Sequence, residues 1–284
     1  MSDDPIALDA NATNNAMHQD RRLERWTGVR DALWSVVDPL VPAGASVAIV
    51  GGGSCDDLPL VRLLDRAARV DLVDFDPSST SRAVGRVADE ARARLTVLEQ
   101  DVTGGCADHV LRAVRDDQPL PEALPLPYDA LGSGDYDLVI GDMLYTQLLH
   151  AGLIALEVFG ERQHELMRRY DPPLVTALVH RIQASLAPGG HAVHVHDVAC
   201  FSSSFEQPLT LDEALEDPFW NWTKLLRHDN CDPHLTLGTI GADVRESTWW
   251  GWPFEPGKQF LVRATTARAG VAAGTPAAAL FARG

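Results

Sequence analysis

The chain has 284 residues, of which 45% are hydrophobic and 23% charged, and its formal net charge is −16. This composition is typical of a globular protein, and no apolar run approaches the roughly 20 residues of a membrane-spanning helix. The acidic balance, without any Lys/Arg-rich run, argues against a nucleic-acid partner because phosphate contacts require a basic patch.

The N-terminal segment is polar and acidic, the reverse of a secretory signal peptide, so we expect a cytoplasmic protein. Residues 1–15 contain few apolar side chains and are predicted to be disordered. Apolar residues at helical spacing, from Leu23 through Trp26 to Val37, predict a helix over residues 17–41. We therefore interpret residues 16–43 as a helical extension, which is either a lid that closes over a ligand or a plain packing helix.

Short apolar runs alternate with helical patterns along the middle of the chain. This rhythm indicates parallel βαβ units in one α/β domain over residues 44–268, followed by an Ala/Gly-rich tail at 269–284 that is predicted to be disordered. Pro, Asp and Gly mark residues 116–134 as a surface loop. We predict strands at 47–50, 70–74, 95–98, 136–140, 191–196 and 259–263, and helices at 56–69, 77–94, 104–115 and 145–186, the last broken at Pro172 and Pro173.

Three glycines, Gly51 to Gly53, follow the first predicted strand and precede a helix. Such a turn brings backbone amides close to a ligand, although it also occurs as a tight turn without one. Asp56 stands where the dinucleotide fingerprint requires its third glycine, so the predicted helix opens with Asp56 and Asp57. Carboxylates there repel a pyrophosphate and favour a cationic ligand.

Two further acids end the next predicted strands. Asp74 lies 23 positions after Gly51, at the distance from which a carboxylate accepts hydrogen bonds from ribose hydroxyls. Asp76 precedes Pro77 and is interpreted as a helix N-cap. Asp101 ends the third strand and, taken alone, is a turn residue. Because ligands of open α/β sheets bind outside the carboxyl ends of the strands, we expect these sites to converge.

Five segments together resemble the motifs of class I S-adenosylmethionine-dependent methyltransferases: VAIVGGGSCDDL, VDLVDFD, LEQDV, YDLVIGDMLYTQLL and LAPGGHAVHVHD. The resemblance covers residues 44–200 and extends to about 265. It implies a Rossmann-like open sheet of seven strands, mostly parallel with an antiparallel last strand, and helices on both faces. It also implies S-adenosylmethionine as the cofactor, with Gly51 and Gly53 at the methionine part, Asp74 on the ribose, Asp101 and Val102 at the adenine, and Phe75 stacked on the adenine face. Gly52 and Asp56 of the glycine loop, and Asp142 at the end of the fourth strand, are further candidates for cofactor binding.

The segment after the fourth strand departs from one subgroup of that family. Gly141-Asp142-Met143-Leu144-Tyr145 is not the (D/N)PP(Y/F) signature of many DNA and glutamine amide methyltransferases. The resemblance therefore favours a small-molecule O or N acceptor over a nucleic acid. A spermidine-synthase-like aminopropyltransferase and a non-catalytic cofactor-binding protein of the same fold are the alternatives.

Candidate catalytic residues follow the fourth strand and lie on the fifth. Asp142 and Tyr145 are placed to contact or orient an acceptor, and His196 is a candidate general base at the predicted strand tip. Each has a structural alternative: helix capping for Asp142, packing for Tyr145, and a core position for His196. We expect no metal, because hard divalent ions require more carboxylates than this region offers.

The C-terminal part is rich in tryptophan, which suits either an aromatic pocket wall or core packing. The residues are Trp220, Trp222, Trp249, Trp250 and Trp252. The partners expected are a small-molecule methyl acceptor and, in a homodimer, a second copy of the chain.

Overall fold

A seven-stranded sheet forms the centre of the computed structural model, which describes residues 5–16, 21–204, 206–227 and 229–269. The strand order is β3-β2-β1-β4-β5-β7-β6. The strands are β1 (Ser46–Val50), β2 (Arg69–Asp74), β3 (Leu95–Glu99), β4 (Tyr136–Asp142), β5 (Leu186–Ser202), β6 (Asp243–Glu255) and β7 (Lys258–Arg268).

The direction of the strands confirms the predicted fold. β1 pairs in parallel with β2 and β4, with Val47 opposite Val70 on one side and Leu138 on the other. β2 and β3 are parallel, as are β4 and β5. β7 runs antiparallel to both of its neighbours, β5 and β6. The sheet is therefore the mostly parallel, Rossmann-like sheet with an antiparallel last strand that is characteristic of methyltransferase-like folds.

Helices cover both faces of this sheet. Alternate side chains of β1 enter two separate cores: Ala48 and Val50 pack under α1, α7, α8 and α9, while Val47 and Ile49 pack under α3 and α4. The helices are α1 (Ile6–Ala16), α2 (Arg22–Arg25), α3 (Thr27–Val37), α4 (Leu60–Arg66), α5 (Pro77–Gly85), α6 (Asp89–Arg92), α7 (Cys106–Arg115), α8 (Gln147–Ala155), α9 (Gly160–Ala184), α10 (Leu211–Glu216), α11 (Pro218–Asn221) and α12 (Pro233–Thr239). None of the described helices has the length and apolarity needed to cross a membrane.

The N-terminal segment differs from its prediction. Residues 6–16, expected to be disordered, form helix α1, which packs against α8 through the small buried side chains of Ala7 and Ala10. The Ala7 backbone N–H donates to the Asp108 carboxylate at 3.2 Å. The predicted tail, apart from residue 269, and residues 1–4 and 17–20 lie outside the described residues.

Several predicted helices have different boundaries; the one expected at 77–94, for example, is split into α5 and α6. The helix expected at 56–69 begins only at Leu60, because Pro59 occupies its N-cap and residues 51–58 form the loop before it. The segment 145–186 breaks at residues 156–159, where Glu157 adopts a φ of +57°, and not at Pro172 and Pro173. Both prolines lie inside α9, whose buried side chains hold it against the sheet on either side of them.

Candidate functional site

A cleft lies at the carboxyl ends of β1 to β4, where the strand order reverses between β1 and β4. It contains about 1060 Å³ of empty space, its solvent-filled mouth included. All nine residues predicted to bind a cofactor line it: Gly51, Gly52, Gly53, Asp56, Asp74, Phe75, Asp101, Val102 and Asp142. Tyr145 and His196 do not.

The glycine loop is packed tightly at its first two positions and open at its third. Gly51 has a φ of +77°, and a Cβ there would lie 2.8 Å from the Leu144 Cβ. A Cβ on Gly52 would lie 2.7 Å from a methyl carbon of Ile49. At Gly53 the nearest atom would be 3.7 Å away, so its backbone remains approachable from the cleft. The loop therefore requires glycine for its own packing as well as for access to a ligand.

Asp74 connects the glycine loop to the tip of β2. Its two carboxylate oxygens accept backbone N–H bonds, one from Gly53 at 2.8 Å and one from Asp76 at 2.9 Å. Burial raises the pKa of Asp74, and these hydrogen bonds counteract part of that rise. Each oxygen keeps lone-pair capacity for a further donor, because a carboxylate accepts about four hydrogen bonds.

Asp76 caps helix α5, as predicted. Its carboxylate accepts the backbone N–H groups of Ser78 at 3.0 Å and Ser79 at 3.2 Å. Hydrogen bonds to its carboxylate from Ser79, Ser78 and Asn15 lower the pKa of Asp76 despite its partial burial. Asp76 does not line the cleft, so of the two acids in this turn Asp74 faces the cleft and Asp76 caps the helix.

Asp56 and Asp57 lie in the loop before α4, which corrects the prediction that they open the helix. Asp56 forms an ion pair with Arg86 at 2.6 Å and approaches Arg22 to 4.0 Å. Burial raises the pKa of Asp57 to about 6. The negative charge of Asp56 is thus balanced within the chain.

The opposite end of the cleft is formed by the turn after β3. The Asp101 carboxylate accepts the backbone N–H groups of Thr103 and Gly105, each at 2.7 Å, so its side chain shapes its own loop. Gln100 also lines the cleft and holds the facing loop by accepting the Gly132 N–H at 3.0 Å. Phe75 and Val102 add apolar surface here, where a flat heterocycle would fit.

Asp142, at the end of β4, is the most unusual acid in the cleft. It is only 3% exposed, yet among the described residues its carboxylate has no hydrogen bond or ion pair. Burial, and to a lesser degree the nearby Asp57 carboxylate, raises the pKa of Asp142 well above its usual range. A buried carboxylate without a partner is costly, so this position favours a cationic ligand.

Tyr145 lies beneath the cleft, within the core. Its hydroxyl forms a 2.6 Å hydrogen bond with Nδ1 of His194. Burial lowers the pKa of His194 to about 3, with the neighbouring His196 adding to the effect. This neutral pair supports the sheet and is not placed to orient an acceptor in the cleft.

His196 does not face the cleft, in contrast to its predicted position. β5 runs on to Ser202, so His196 lies well inside the strand rather than at its tip. Its Nε2 is 3.9 Å from the Asp232 carboxylate, in a buried polar cluster with Arg263 and His234. The structural alternative fits this histidine better than the role of general base.

One wall of the cleft comes from residues that the sequence analysis missed. Ala7, Asn11 and Asn15 occur at intervals of four residues, so they share the face of α1 that lines the cleft. Asn15 donates to the Asp76 carboxylate at 3.3 Å, and Arg22 donates to the Asn15 carbonyl at 3.2 Å. The four-residue spacing was the available signal, but the low hydrophobicity of the segment obscured it.

The other missed wall is aromatic. Trp252 and Phe254 of β6 line the cleft together with Trp26 of the N-terminal extension. The Trp26 indole N–H donates to the Pro253 carbonyl at 2.9 Å, and Arg25 donates to the Phe254 carbonyl at 2.8 Å. The extension is therefore fixed to the end of β6. Of the five C-terminal tryptophans considered above, Trp252 alone belongs to this lining.

No group of three or more His, Cys, Asp or Glu side chains suited to a metal ion occurs within the described ranges. No family model matches the sequence, and no curated protein matches it either.

Solved structures with a similar chain path are methyltransferases for the most part. The N-methyltransferase NodS from Bradyrhizobium japonicum, solved with S-adenosyl-L-homocysteine, is 12% identical over 93% of this chain and 98% of its own, with a TM-score of 0.47. Magnesium protoporphyrin IX methyltransferase from Synechocystis, also with bound S-adenosylhomocysteine, is 16% identical over 86% and 83%, with a TM-score of 0.43. A putative methyltransferase complexed with the Haloferax volcanii activator Trm112 is 14% identical over 93% and 96%, with a TM-score of 0.47. At these identities no substrate transfers to this chain.

Proposed function

We propose that the protein is an S-adenosylmethionine-dependent methyltransferase that acts on an O or N atom of a small-molecule acceptor. The observation that carries the proposal is the position of Asp74, whose buried carboxylate is held against Gly53 at the strand-order reversal. A carboxylate there suits a ribose, and the open Gly53 backbone suits the chain attached to it.

The charges in the cleft support this cofactor over a phosphate-bearing one. Five carboxylates line the cleft, from Asp56, Asp57, Asp74, Asp101 and Asp142, against the guanidinium of Arg22. A pyrophosphate would be repelled by this lining, whereas the ammonium and sulfonium of S-adenosylmethionine would be attracted.

Each part of the cofactor has residues suited to hold it. Phe75, with the Asp101–Val102 turn, forms the place for adenine, and Asp74 the place for ribose. The glycine loop would hold the methionine part, whose carboxylate suits Arg22. The bound cofactor supplies an electrophilic methyl group. The protein's own contribution is to position the acceptor and exclude water, and α1 and Trp26 form the walls that do so.

Arg22 also separates this function from aminopropyl transfer. The decarboxylated cofactor used for that reaction lacks the carboxylate for which Arg22 is suited. Arg22 is 7% exposed, lines the cleft and stacks over the Trp26 ring at 5.1 Å. An arginine at this position favours the cofactor that has the methionine carboxylate over the decarboxylated form.

Calorimetric titration tests the proposal directly. We expect micromolar affinity for S-adenosylmethionine and S-adenosylhomocysteine, weaker binding of decarboxylated S-adenosylmethionine, and no binding of NAD. The Arg22→Gln variant should lose affinity for the complete cofactor and keep its affinity for the decarboxylated form. Equal affinity for NAD, or no binding of either complete cofactor, would contradict the proposal.

A further inference from the structure

Three aromatic side chains that pack against one another line one part of the cleft. Trp26 and Trp252 meet edge to face with ring centroids 5.1 Å apart, and Phe254 lies 5.0 Å from Trp252 and 5.9 Å from Trp26. We call these three side chains the aromatic box. Ring faces carry negative quadrupole charge, which attracts cations, and tryptophan attracts them most strongly. Within the chain, Arg22 lies over the Trp26 ring at 5.1 Å and Lys258 over the Phe254 ring at 5.2 Å.

Two carboxylates border the aromatic box. Asp57 and Asp142 line both the main cleft and a small recess beside it. Trp252 is shared by the two spaces as well. The remaining walls of the recess are apolar: Val29, Leu33, Met143, Val195, Trp250 and Val262. A ligand here would place a charged group beside the carboxylates and its apolar part against these apolar walls.

Arg22 and Arg30 act electrostatically on Asp57, whereas no cation of the described residues does so on Asp142. Arg22 approaches Asp56 and stacks on Trp26, and Arg30 donates to the Asp56 carbonyl at 2.5 Å. In the part of the chain that the structure describes, no cationic side chain forms an ion pair with Asp142, which is only 3% exposed. Asp142 is thus placed to bind a cationic group of a ligand.

We propose that the aromatic box, with Asp57 and Asp142, is the acceptor site and that it takes an organic amine bound as its ammonium ion. This deepens the proposed function and rests on it. An ammonium N–H can donate to a carboxylate while its carbon substituents contact indole and phenyl faces. A bound ammonium ion stabilises the charged form of the Asp142 carboxylate, which a neutral hydroxyl group cannot do, so the proposal selects N over O as the acceptor atom.

The same carboxylate can prepare the amine for methyl transfer. An ammonium nitrogen has no lone pair, so one proton must leave before the nitrogen can attack a carbon. Transfer of that proton from the ammonium to a carboxylate oxygen of Asp142 leaves a neutral amine and a neutral acid, with total charge unchanged. The raised pKa of Asp142 makes it a better acceptor of this proton than an exposed aspartate.

The test compares two probes of equal size, benzylamine and benzyl alcohol, by calorimetric titration with and without saturating S-adenosylhomocysteine. We expect the wild-type protein to prefer the amine by about tenfold or more. Asp142→Asn should abolish this preference while changing the affinity for the alcohol by less than about twofold. Trp252→Phe, which keeps an aromatic ring, should reduce the preference in part. Asp65→Asn removes an exposed carboxylate outside the cleft and serves as the matched control with unchanged preference.

Each result has a separate meaning. Equal binding of alcohol and amine to the wild-type protein, or a full amine preference in Asp142→Asn, would overturn the amine site. If Asp142→Asn weakens S-adenosylhomocysteine but keeps the amine preference, Asp142 serves the cofactor alone; the amine proposal then fails and the methyltransferase proposal stands. If S-adenosylhomocysteine does not bind while the amine preference depends on Asp142, the proposed function fails and the cation site stands.

Discussion

Replacing Asp74 by alanine separates ligand binding from structural support at the tip of β2. The carboxylate accepts the N–H groups of Gly53 at 2.8 Å and Asp76 at 2.9 Å, and in our account it also accepts two ribose hydroxyls. A hydrogen bond to a charged group contributes about 1.5–3 kcal/mol. Loss of the ribose contacts should therefore weaken cofactor binding by at least about tenfold, or 1.4 kcal/mol. The orphaned Gly53 N–H borders the cleft, where water can reach it, but the Asp76 N–H is buried, so the free energy of unfolding should fall by about 2–4 kcal/mol.

Calorimetric titration with S-adenosylhomocysteine and urea denaturation measure the two effects. Asp76→Ala is the matched control, because it removes the other carboxylate of the same turn. Asp76 caps α5 and does not line the cleft, so its loss should lower the free energy of unfolding by about 1–2 kcal/mol with unchanged affinity. A folded Asp74→Ala protein with wild-type affinity, or a loss of affinity in Asp76→Ala as large as in Asp74→Ala, would refute the reasoning.

Three further predictions concern the core and the glycine loop. Burial raises the pKa of Asp171 to about 7, so between pH 4 and 7 the folded state keeps a proton that the unfolded state has released. The free energy of unfolding should therefore fall as the pH rises over this range, by about 4 kcal/mol at most. Asp171→Asn should flatten this dependence in urea titrations at several pH values, and an unchanged slope would contradict it. Tyr145→Phe leaves His194 Nδ1 unpaired, so the free energy of unfolding should fall by about 1–3 kcal/mol, with unchanged affinity for S-adenosylhomocysteine. A loss of affinity without a loss of stability would show that Tyr145 belongs to the binding site. Gly51→Ala places a Cβ against Leu144 at a φ of +77°, so it should both lower the melting temperature and abolish S-adenosylhomocysteine binding. Wild-type binding in that variant would show that the loop rearranges at little cost.

The features predicted correctly depend on short stretches of sequence. An apolar run followed by glycines or an aspartate specifies a buried strand and its tip with information from fewer than about ten residues. β1, β2 and β4 appear within one or two residues of their predicted positions, and Asp74 ends β2 as expected. The cleft lining at these tips follows from the parallel arrangement, since the carboxyl ends of the strands meet at one edge.

The errors occur where packing between distant segments decides the structure. α9 continues through Pro172 and Pro173 because buried side chains on both sides of them hold the helix against the sheet. β5 continues to Ser202 because β7 pairs with it along its length, which moves His196 away from the cleft. Neither effect can be read from a local window, because the stabilising partner lies tens of residues away.

The walls of the cleft show the same limitation. α1 has few large apolar residues: Ala7 and Ala10 are its buried hydrophobic side chains, and Ile6 is partly buried against the core. Its sequence is therefore similar to that of a disordered segment. Trp252 was one of five tryptophans in the C-terminal part, and nothing in the local sequence distinguished it from those that pack elsewhere. Only the pairing of β6 with β7 at the sheet edge places it next to Trp26.

A crystal structure of the protein with S-adenosylhomocysteine tests the central claim most directly. The account predicts electron density for the ligand in the cleft, with the ribose hydroxyls within hydrogen-bonding distance of the Asp74 carboxylate and the adenine beside Phe75 and Val102. Density for the ligand elsewhere, or a ribose that does not contact Asp74, would contradict the account.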